Sequence, residues 1–167
     1  MWHFGRLSIL FLILLPVLGV AQAADVAAAE AEALRKVVYH ADFADPRRFS
    51  AMLTSINNMV TTYQNDLVEY DVRIVFVAHG VRFVTSDALK GTPFAEDAAL
   101  KARRKNLLER LRSLHDSQGV KLELCGITRE QVRLDPVKII AGVELVPSGV
   151  VRIAELQQNG FAYIKIE

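Results

Sequence analysis

The fold is decided by a stretch near the middle of the chain, Val72-Arg73-Ile74-Val75-Phe76-Val77-Ala78-His79-Gly80. Apart from Arg73, its first seven residues are apolar and mostly β-branched or aromatic, so they predict a β-strand. A strand that is covered on one face alternates apolar and polar residues, whereas a parallel strand covered on both faces is almost continuously apolar. The stretch therefore predicts a central strand of a parallel sheet.

On either side of this strand, short apolar runs alternate with longer segments that have helical spacing. Further strands are predicted at residues 36–41, 120–125, 142–146 and 161–166. Helices are predicted after Asp45-Pro46, over residues 95–117, from the capping-box spacing of Thr128 and Gln131, and from Pro147-Ser148-Gly149. Strands joined by helices predict an α/β, three-layer fold, with a mostly parallel five-stranded sheet and helices on both faces.

The first 23 residues are typical of a cleavable signal peptide. A weakly positive opening with Arg6 precedes the apolar residues 7–20, and Ala21-Gln22-Ala23 fits cleavage after Ala23. The pattern predicts export to the periplasm, and the alternative is an uncleaved membrane anchor. Residues 24–34 are a low-complexity lead-in, and residues 35–167 are predicted to form one domain.

Several classes of function lack support in the sequence. The 20 Lys and Arg side chains nearly balance the 19 Asp and Glu, and without Arg6 the mature chain is neutral, so nucleic acid is not an expected partner. No later stretch approaches the roughly 18 apolar residues of a membrane span. Dinucleotide, P-loop and nucleophile-elbow motifs are absent, as is a metal-ligand spacing, so we predict no cofactor and no metal.

The third predicted strand alternates Leu with charged residues, which indicates an exposed face, and it ends at Cys125. As the one cysteine in the chain, Cys125 has no partner for an internal disulfide. One interpretation is a buried structural cysteine. The other is a nucleophilic or sulfur-carrying thiol, because the residue precedes a predicted helix whose free amides would lower its pKa.

Three other residues are candidates for a supporting role near the thiol. Gly126 would leave room for a substrate beside Cys125. His79 ends the central strand, where it would act as a base or would bond a neighbouring backbone carbonyl. Ser148 begins a helix, where it would bind an anion or serve as a plain N-cap.

A set of short segments spread over residues 36–165 carries a further indication. The segments are Lys36-Val37-Val38-Tyr39-His40, Val75-Phe76-Val77-Ala78-His79-Gly80, Gly119-Val120-Lys121-Leu122-Glu123-Leu124-Cys125-Gly126 with Thr128, Val146-Pro147-Ser148-Gly149-Val150, and Glu155-Leu156-Gln157-Gln158-Asn159-Gly160-Phe161-Ala162-Tyr163-Ile164-Lys165. In order and spacing they resemble the DsrE/DsrF-like family, whose fold is shared by the sulfur-relay subunits DsrE and TusD.

The resemblance implies a compact α/β protein that assembles into homo-oligomers, either trimers or hexamers. In the sulfur-relay members a cysteine carries sulfur as a persulfide between protein partners, and Cys125 stands at that position. His79 and Thr128 match motif positions with supporting roles. The chain departs from those members in its predicted export, which implies different partners, and in Ile127, where similar exported members commonly have asparagine.

The leading hypothesis is therefore a periplasmic persulfide carrier, or a sulfurtransferase-like component, that acts through Cys125 with a sulfur donor or acceptor protein. The alternative is a non-catalytic oligomeric module that binds a ligand or a partner, with Cys125 packed in its core. A third hypothesis is protection against sulfur or redox stress through mixed disulfides of the unpaired thiol.

Overall fold

The computed structural model describes residues 34–167. The predicted signal peptide at residues 1–23, and all of the lead-in at 24–34 except its last residue, lie outside the described residues. The strands are β1 (Arg35–Ala41), β2 (Tyr70–Phe76), β3 (Lys121–Cys125), β4 (Val143–Val146) and β5 (Ala162–Ile164). The α-helices are α1 (Pro46–Asn65), α2 (Ala98–Gln118), α3 (Gly126–Gln131) and α4 (Gly149–Gln158). Within this part of the chain, no helix has the length and apolar character needed to cross a membrane.

The five strands form one sheet in the order β4-β3-β2-β1-β5, and every neighbouring pair is parallel. Strand β2 is the central strand, and Val72, Ile74, Val75 and Phe76 within it are fully buried. The prediction of an α/β fold with a five-stranded, mostly parallel sheet is confirmed. The strand at residues 72–80 ends earlier than predicted, because Ala78–Phe83 turns into a 3₁₀ helix.

Helices cover both faces of the sheet, but unequally. The larger core packs α1 and α2 against one face, through side chains that include Phe49, Ile56 and Leu111. The smaller core packs Ile153 and Leu156 of α4 against the other face. From β1 to β4 the chain steps across the sheet in one direction, and from β4 it returns past β1 to β5. Because parallel crossovers are right-handed, the returning helix is expected on the opposite face.

The two long helices, α1 and α2, begin at signals that the sequence contains. Asp45 precedes Pro46 at the first helical position of α1, and its carboxylate accepts a hydrogen bond from the N–H of Arg47 at 2.7 Å. Helix α2 is capped by Asp97, and Gly119 ends it with a φ of 67°, the left-handed region that glycine adopts without a Cβ clash. These local signals explain why the helices predicted after Asp45-Pro46 and over residues 95–117 are found at Pro46–Asn65 and Ala98–Gln118.

The predicted exposed face of the third strand is wrong. Glu123 on β3 is only 1% exposed, because α4 covers that face and supplies Arg152 as an ionic partner. Glu123 accepts hydrogen bonds from Arg152 at 2.7 and 2.9 Å and from Arg73 on β2 at 2.8 Å. Burial by itself raises the pKa of Glu123, but the two guanidiniums outweigh burial, so its pKa lies below the ordinary value. The carboxylate therefore joins β2, β3 and α4.

We expect Glu123→Ala to destabilise the protein by roughly 3 kcal/mol, because it removes the buried carboxylate that accepts hydrogen bonds from both Arg73 and Arg152. The neighbouring position on β4, Glu144, is exposed and pairs with Glu123 in the sheet register, so Glu144→Ala is a matched control. The control should change the free energy of unfolding by no more than about 0.5 kcal/mol. Urea unfolding of the two variants measures the difference, and equal effects would contradict the buried ionic role of Glu123.

The ionic contacts of Glu123 with Arg73 and Arg152 also predict that the stability of the fold depends on pH. A carboxyl group with a lowered pKa in the folded state stabilises that state above its unfolded pKa, about 4.3 for glutamate, and this contribution is lost as the pH falls through the folded pKa. The difference in unfolding free energy between the wild-type protein and Glu123→Ala should therefore narrow below about pH 4.3. Urea unfolding over a range of acidic pH values tests this, and a constant difference would argue against it.

Candidate functional site

Strands β3 and β4 are neighbours in the sheet. At their carboxyl ends, the chain continues toward opposite faces of the sheet. After β3 the chain packs Val132 and Leu134 into the core that holds α1 and α2. After β4 it enters α4, which packs on the other face. In open parallel sheets such a reversal leaves a crevice where ligands commonly bind. Cys125 ends β3 there, in register with Val146 of β4.

Cys125 is buried, with 3% of its surface exposed, and it is the residue before the first turn of α3. The polar groups that act on its sulfur are the backbone N–H groups of Gly149, Thr128 and Ile127 and the Thr128 hydroxyl. Burial by itself raises the pKa of the Cys125 thiol, but these donors outweigh it, so the pKa lies below its ordinary value. The surroundings therefore ease the ionisation of a thiol that is almost fully buried.

Two glycines allow the backbone to approach Cys125 this closely. A Cβ on Gly149 would lie 2.6 Å from a methyl carbon of Val77 and 3.0 Å from the Cβ of Cys125. Only a residue without a side chain can therefore bring the first amide of α4 against the sulfur. A Cβ on Gly126 would lie 3.1 Å from the carbonyl oxygen of Val146, so β4 uses the space that we expected for a substrate.

Thr128 has a different role from the predicted helix cap. Helix α3 begins at Gly126, so Thr128 lies inside it and not in front of it. Its hydroxyl oxygen accepts a hydrogen bond from the backbone N–H of Ala78 at 3.0 Å, and the same hydroxyl helps to lower the pKa of the Cys125 thiol. Ala78 has a φ of 49°, an unusual backbone conformation for alanine, at the start of the 3₁₀ helix. Thr128 thus links this turn to the thiol.

His79 and Ser148 lie at the same edge of the sheet as Cys125. Within the described residues, neither forms a hydrogen bond with the thiol. The His79 ring packs edge-on against Phe94, with ring centroids 4.8 Å apart, and its Nδ1 is buried without a hydrogen-bond partner. Ser148 is the N-cap of α4, and its hydroxyl accepts a hydrogen bond from the N–H of Val151 at 3.4 Å. Of the two roles considered for Ser148, the structure thus shows the N-cap.

The structure also reveals features of this site that sequence reasoning missed. Gly149 was visible only as part of a helix-start motif, and its contact with Cys125 depends on the return of α4 across the sheet. Beside it lies a cleft of about 320 Å³ between β4 and α4. The lining residues are Val146, Pro147, Ser148, Val151, Arg152 and Glu155. Helical spacing at positions 148, 151, 152 and 155 could have indicated that these side chains share one face.

The described residues offer little to a metal ion. Within residues 34–167, no group of three or more His, Cys, Asp or Glu side chains is arranged to hold one.

Two solved structures are similar to this chain. The chain is similar to MTH1491 from Methanobacterium thermoautotrophicum, a protein of unknown function, with 21% sequence identity and a TM-score of 0.59, covering 78% of this chain and 98% of that one. It also matches YchN from E. coli, with 17% identity and a TM-score of 0.45, covering 79% and 99% of the two chains. No curated protein matches the chain.

The decisive comparison is with protein families. The model of the DsrE/DsrF-like family matches residues 27–166, which include nearly all of the described sheet and helices, and Cys125 at the end of β3. The resemblance noted in the short sequence segments is thereby confirmed. Because the match extends over most of its length, the chain belongs to the DsrE/DsrF-like family.

Proposed function

We propose that this protein is a periplasmic sulfur carrier, in which the Cys125 thiolate accepts sulfane sulfur as a persulfide and passes it to a partner. Membership of the DsrE/DsrF-like family suggests a function of the sulfur-relay type, and the chain has one cysteine to perform it. Export, a donor or acceptor protein and assembly into trimers or hexamers belong to this proposal as well. They rest on the leader pattern and on the family resemblance.

One observation carries the proposal, namely the set of hydrogen-bond donors around the Cys125 sulfur. Three backbone N–H groups and one hydroxyl act on it, and together they lower the thiol pKa although the residue is buried. A packed structural cysteine needs no such donors, since a thiol is a weak acceptor that behaves as a small apolar group. An anionic thiolate or persulfide does need them, because an unpaired charge in a buried position is costly.

The proposed transfer is an exchange of one S–S bond for another. The Cys125 thiolate attacks the terminal sulfur of a persulfide donor, R–S–S–H, and forms Cys125–S–S–H. The S–S bond of the donor breaks, and its electron pair leaves with the thiolate R–S⁻. Attack by an acceptor thiolate on the outer sulfur of Cys125–S–S–H later reverses the step. Neither transfer needs an external oxidant or reductant.

The direct test is sulfur loading. We expect the purified protein, after incubation with inorganic polysulfide, to gain a sulfur atom that a reductant removes, as measured by intact mass. The variant Cys125→Ala should gain none, because it lacks the accepting thiolate. Thermal unfolding of Cys125→Ala serves as the control that the fold is intact. Equal loading of the wild-type protein and Cys125→Ala would refute the proposal.

A second test concerns the Thr128 hydroxyl. The rate of alkylation by iodoacetamide rises with the thiolate fraction, so its pH midpoint should lie below the value of about 8.5 that is usual for a free cysteine. We expect Thr128→Val to move the midpoint to higher pH, because it removes a donor that favours the thiolate. Thr128→Ser keeps the hydroxyl and should keep the midpoint. Identical midpoints in Thr128→Val and the wild-type protein would exclude this role.

A non-catalytic binding module is the second candidate function, and the 3% exposure of Cys125 favours it. In that case the donors around the sulfur serve only to hold α3, α4 and the turn at Ala78 together. The alkylation experiment separates the two functions. A thiol that reacts in the folded protein agrees with sulfur transfer, whereas a thiol that reacts only after unfolding agrees with a binding module.

A further inference from the structure

The cleft between β4 and α4 is lined by both apolar and charged side chains. Val146 and Pro147 form its strand side, and Val151, which is 55% exposed, stands on its helix side. Its volume of about 320 Å³ is at the lower end of the range of ligand pockets, roughly 300 to 1,000 Å³. The cleft is therefore suited to a small group with an apolar surface.

The two charged side chains that line the cleft are already paired. Arg152 donates hydrogen bonds to the buried Glu123 at 2.7 and 2.9 Å, and Glu155 lies 4.0 Å from another nitrogen of Arg152. An incoming anion would have to compete with Glu123 for Arg152, and an incoming cation would have to compete with Arg152 for Glu155. The cleft thus offers no free charge to a charged ligand, and burial of an unpaired charge is unfavourable.

The cleft adjoins the thiol through both the sheet and the chain. Val146 on its floor is the register partner of Cys125. Pro147 and Ser148, which also line it, lead directly into Gly149, which packs against Cys125. A molecule held between β4 and α4 therefore lies against the strand that pairs with Cys125, although Cys125 itself does not line the cleft.

We propose that this cleft binds the organic group of the sulfur donor, and that this group is uncharged and apolar. The inference rests on the proposed function and names its substrate class, a small organic persulfide R–S–S–H in which R is a short aliphatic or aromatic group. The Cys125 thiolate takes the terminal sulfur, the donor S–S bond breaks, and R–S⁻ leaves from the cleft with the electron pair. Donors with a charged R group are disfavoured.

Methanethiosulfonate reagents test the selectivity of the cleft, because they differ only in the group that they deliver. The thiolate attacks the sulfur that bears this group, the bond to the sulfonyl sulfur breaks, and methanesulfinate leaves with the electron pair. The probes are the benzyl reagent, which is neutral and apolar, the sulfonatoethyl reagent, which is anionic, and the trimethylammonioethyl reagent, which is cationic. Each rate of Cys125 modification is divided by the rate of the same reagent with the urea-unfolded protein.

We expect the normalised rate of the benzyl reagent to exceed both charged reagents by at least about tenfold, within the discrimination that a small apolar pocket provides. Val151→Asp places a carboxylate in the cleft and should remove most of this preference. Val150→Asp is the matched control, since Val150 lies in the same turn of α4, is 64% exposed and does not line the cleft. It adds the same charge near the thiol and should leave the preference in place.

The outcomes distinguish this inference from the function on which it rests. A benzyl preference that Val151→Asp removes and Val150→Asp retains supports the inference. Equal normalised rates, or equal effects of the two variants, overturn it, while polysulfide loading of Cys125 would still support the sulfur carrier. A thiol that no reagent modifies in the folded protein overturns the inference, and absent polysulfide loading would overturn the sulfur carrier with it.

Discussion

The arrangement of this protein depends on the handedness of its strand connections. Four strands are laid down in one direction across the sheet, and the fifth is reached by a return past β1. A right-handed return places α4 on the face opposite to α1 and α2. This single reversal separates the chain after β3 from the chain after β4, and the crevice between them is where Cys125 ends its strand.

The ionic contacts of Glu123 hold α4 in place on the sheet. Arg152 extends from α4 to a carboxylate on β3 that is 1% exposed, and Arg73 reaches the same carboxylate from β2. Because Arg152 lies one turn after Gly149 on the same helix, this contact and the close packing of Gly149 fix the position of the first amide of α4. The electrostatic environment of the thiol and the paired charges of the neighbouring cleft therefore have one structural origin.

The features that the sequence predicted correctly have local causes. A nearly continuous apolar run marks β2 as a central strand, and an Asp before a Pro marks the start of α1. The features that it predicted wrongly depend on contacts between distant segments. Glu123 was expected to be exposed because β3 alternates in polarity, but α4 brings Arg152 onto that face. Thr128 has the spacing of a helix cap, but the amide of Ala78, fifty positions away, takes its hydroxyl oxygen.

The sequence by itself determined the order of strands and helices, the family to which the chain belongs and the presence of one cysteine at the end of a strand. These properties follow from residue type and spacing, which act over a few positions along the chain. Only the tertiary structure decided that Cys125 is buried, that Gly149 packs against it and that a cleft with paired charges lies on the neighbouring strand. The burial and the polar surroundings of the thiol depend on segments that are distant in the sequence and come together only when α4 packs against the sheet. No local sequence pattern encodes these contacts.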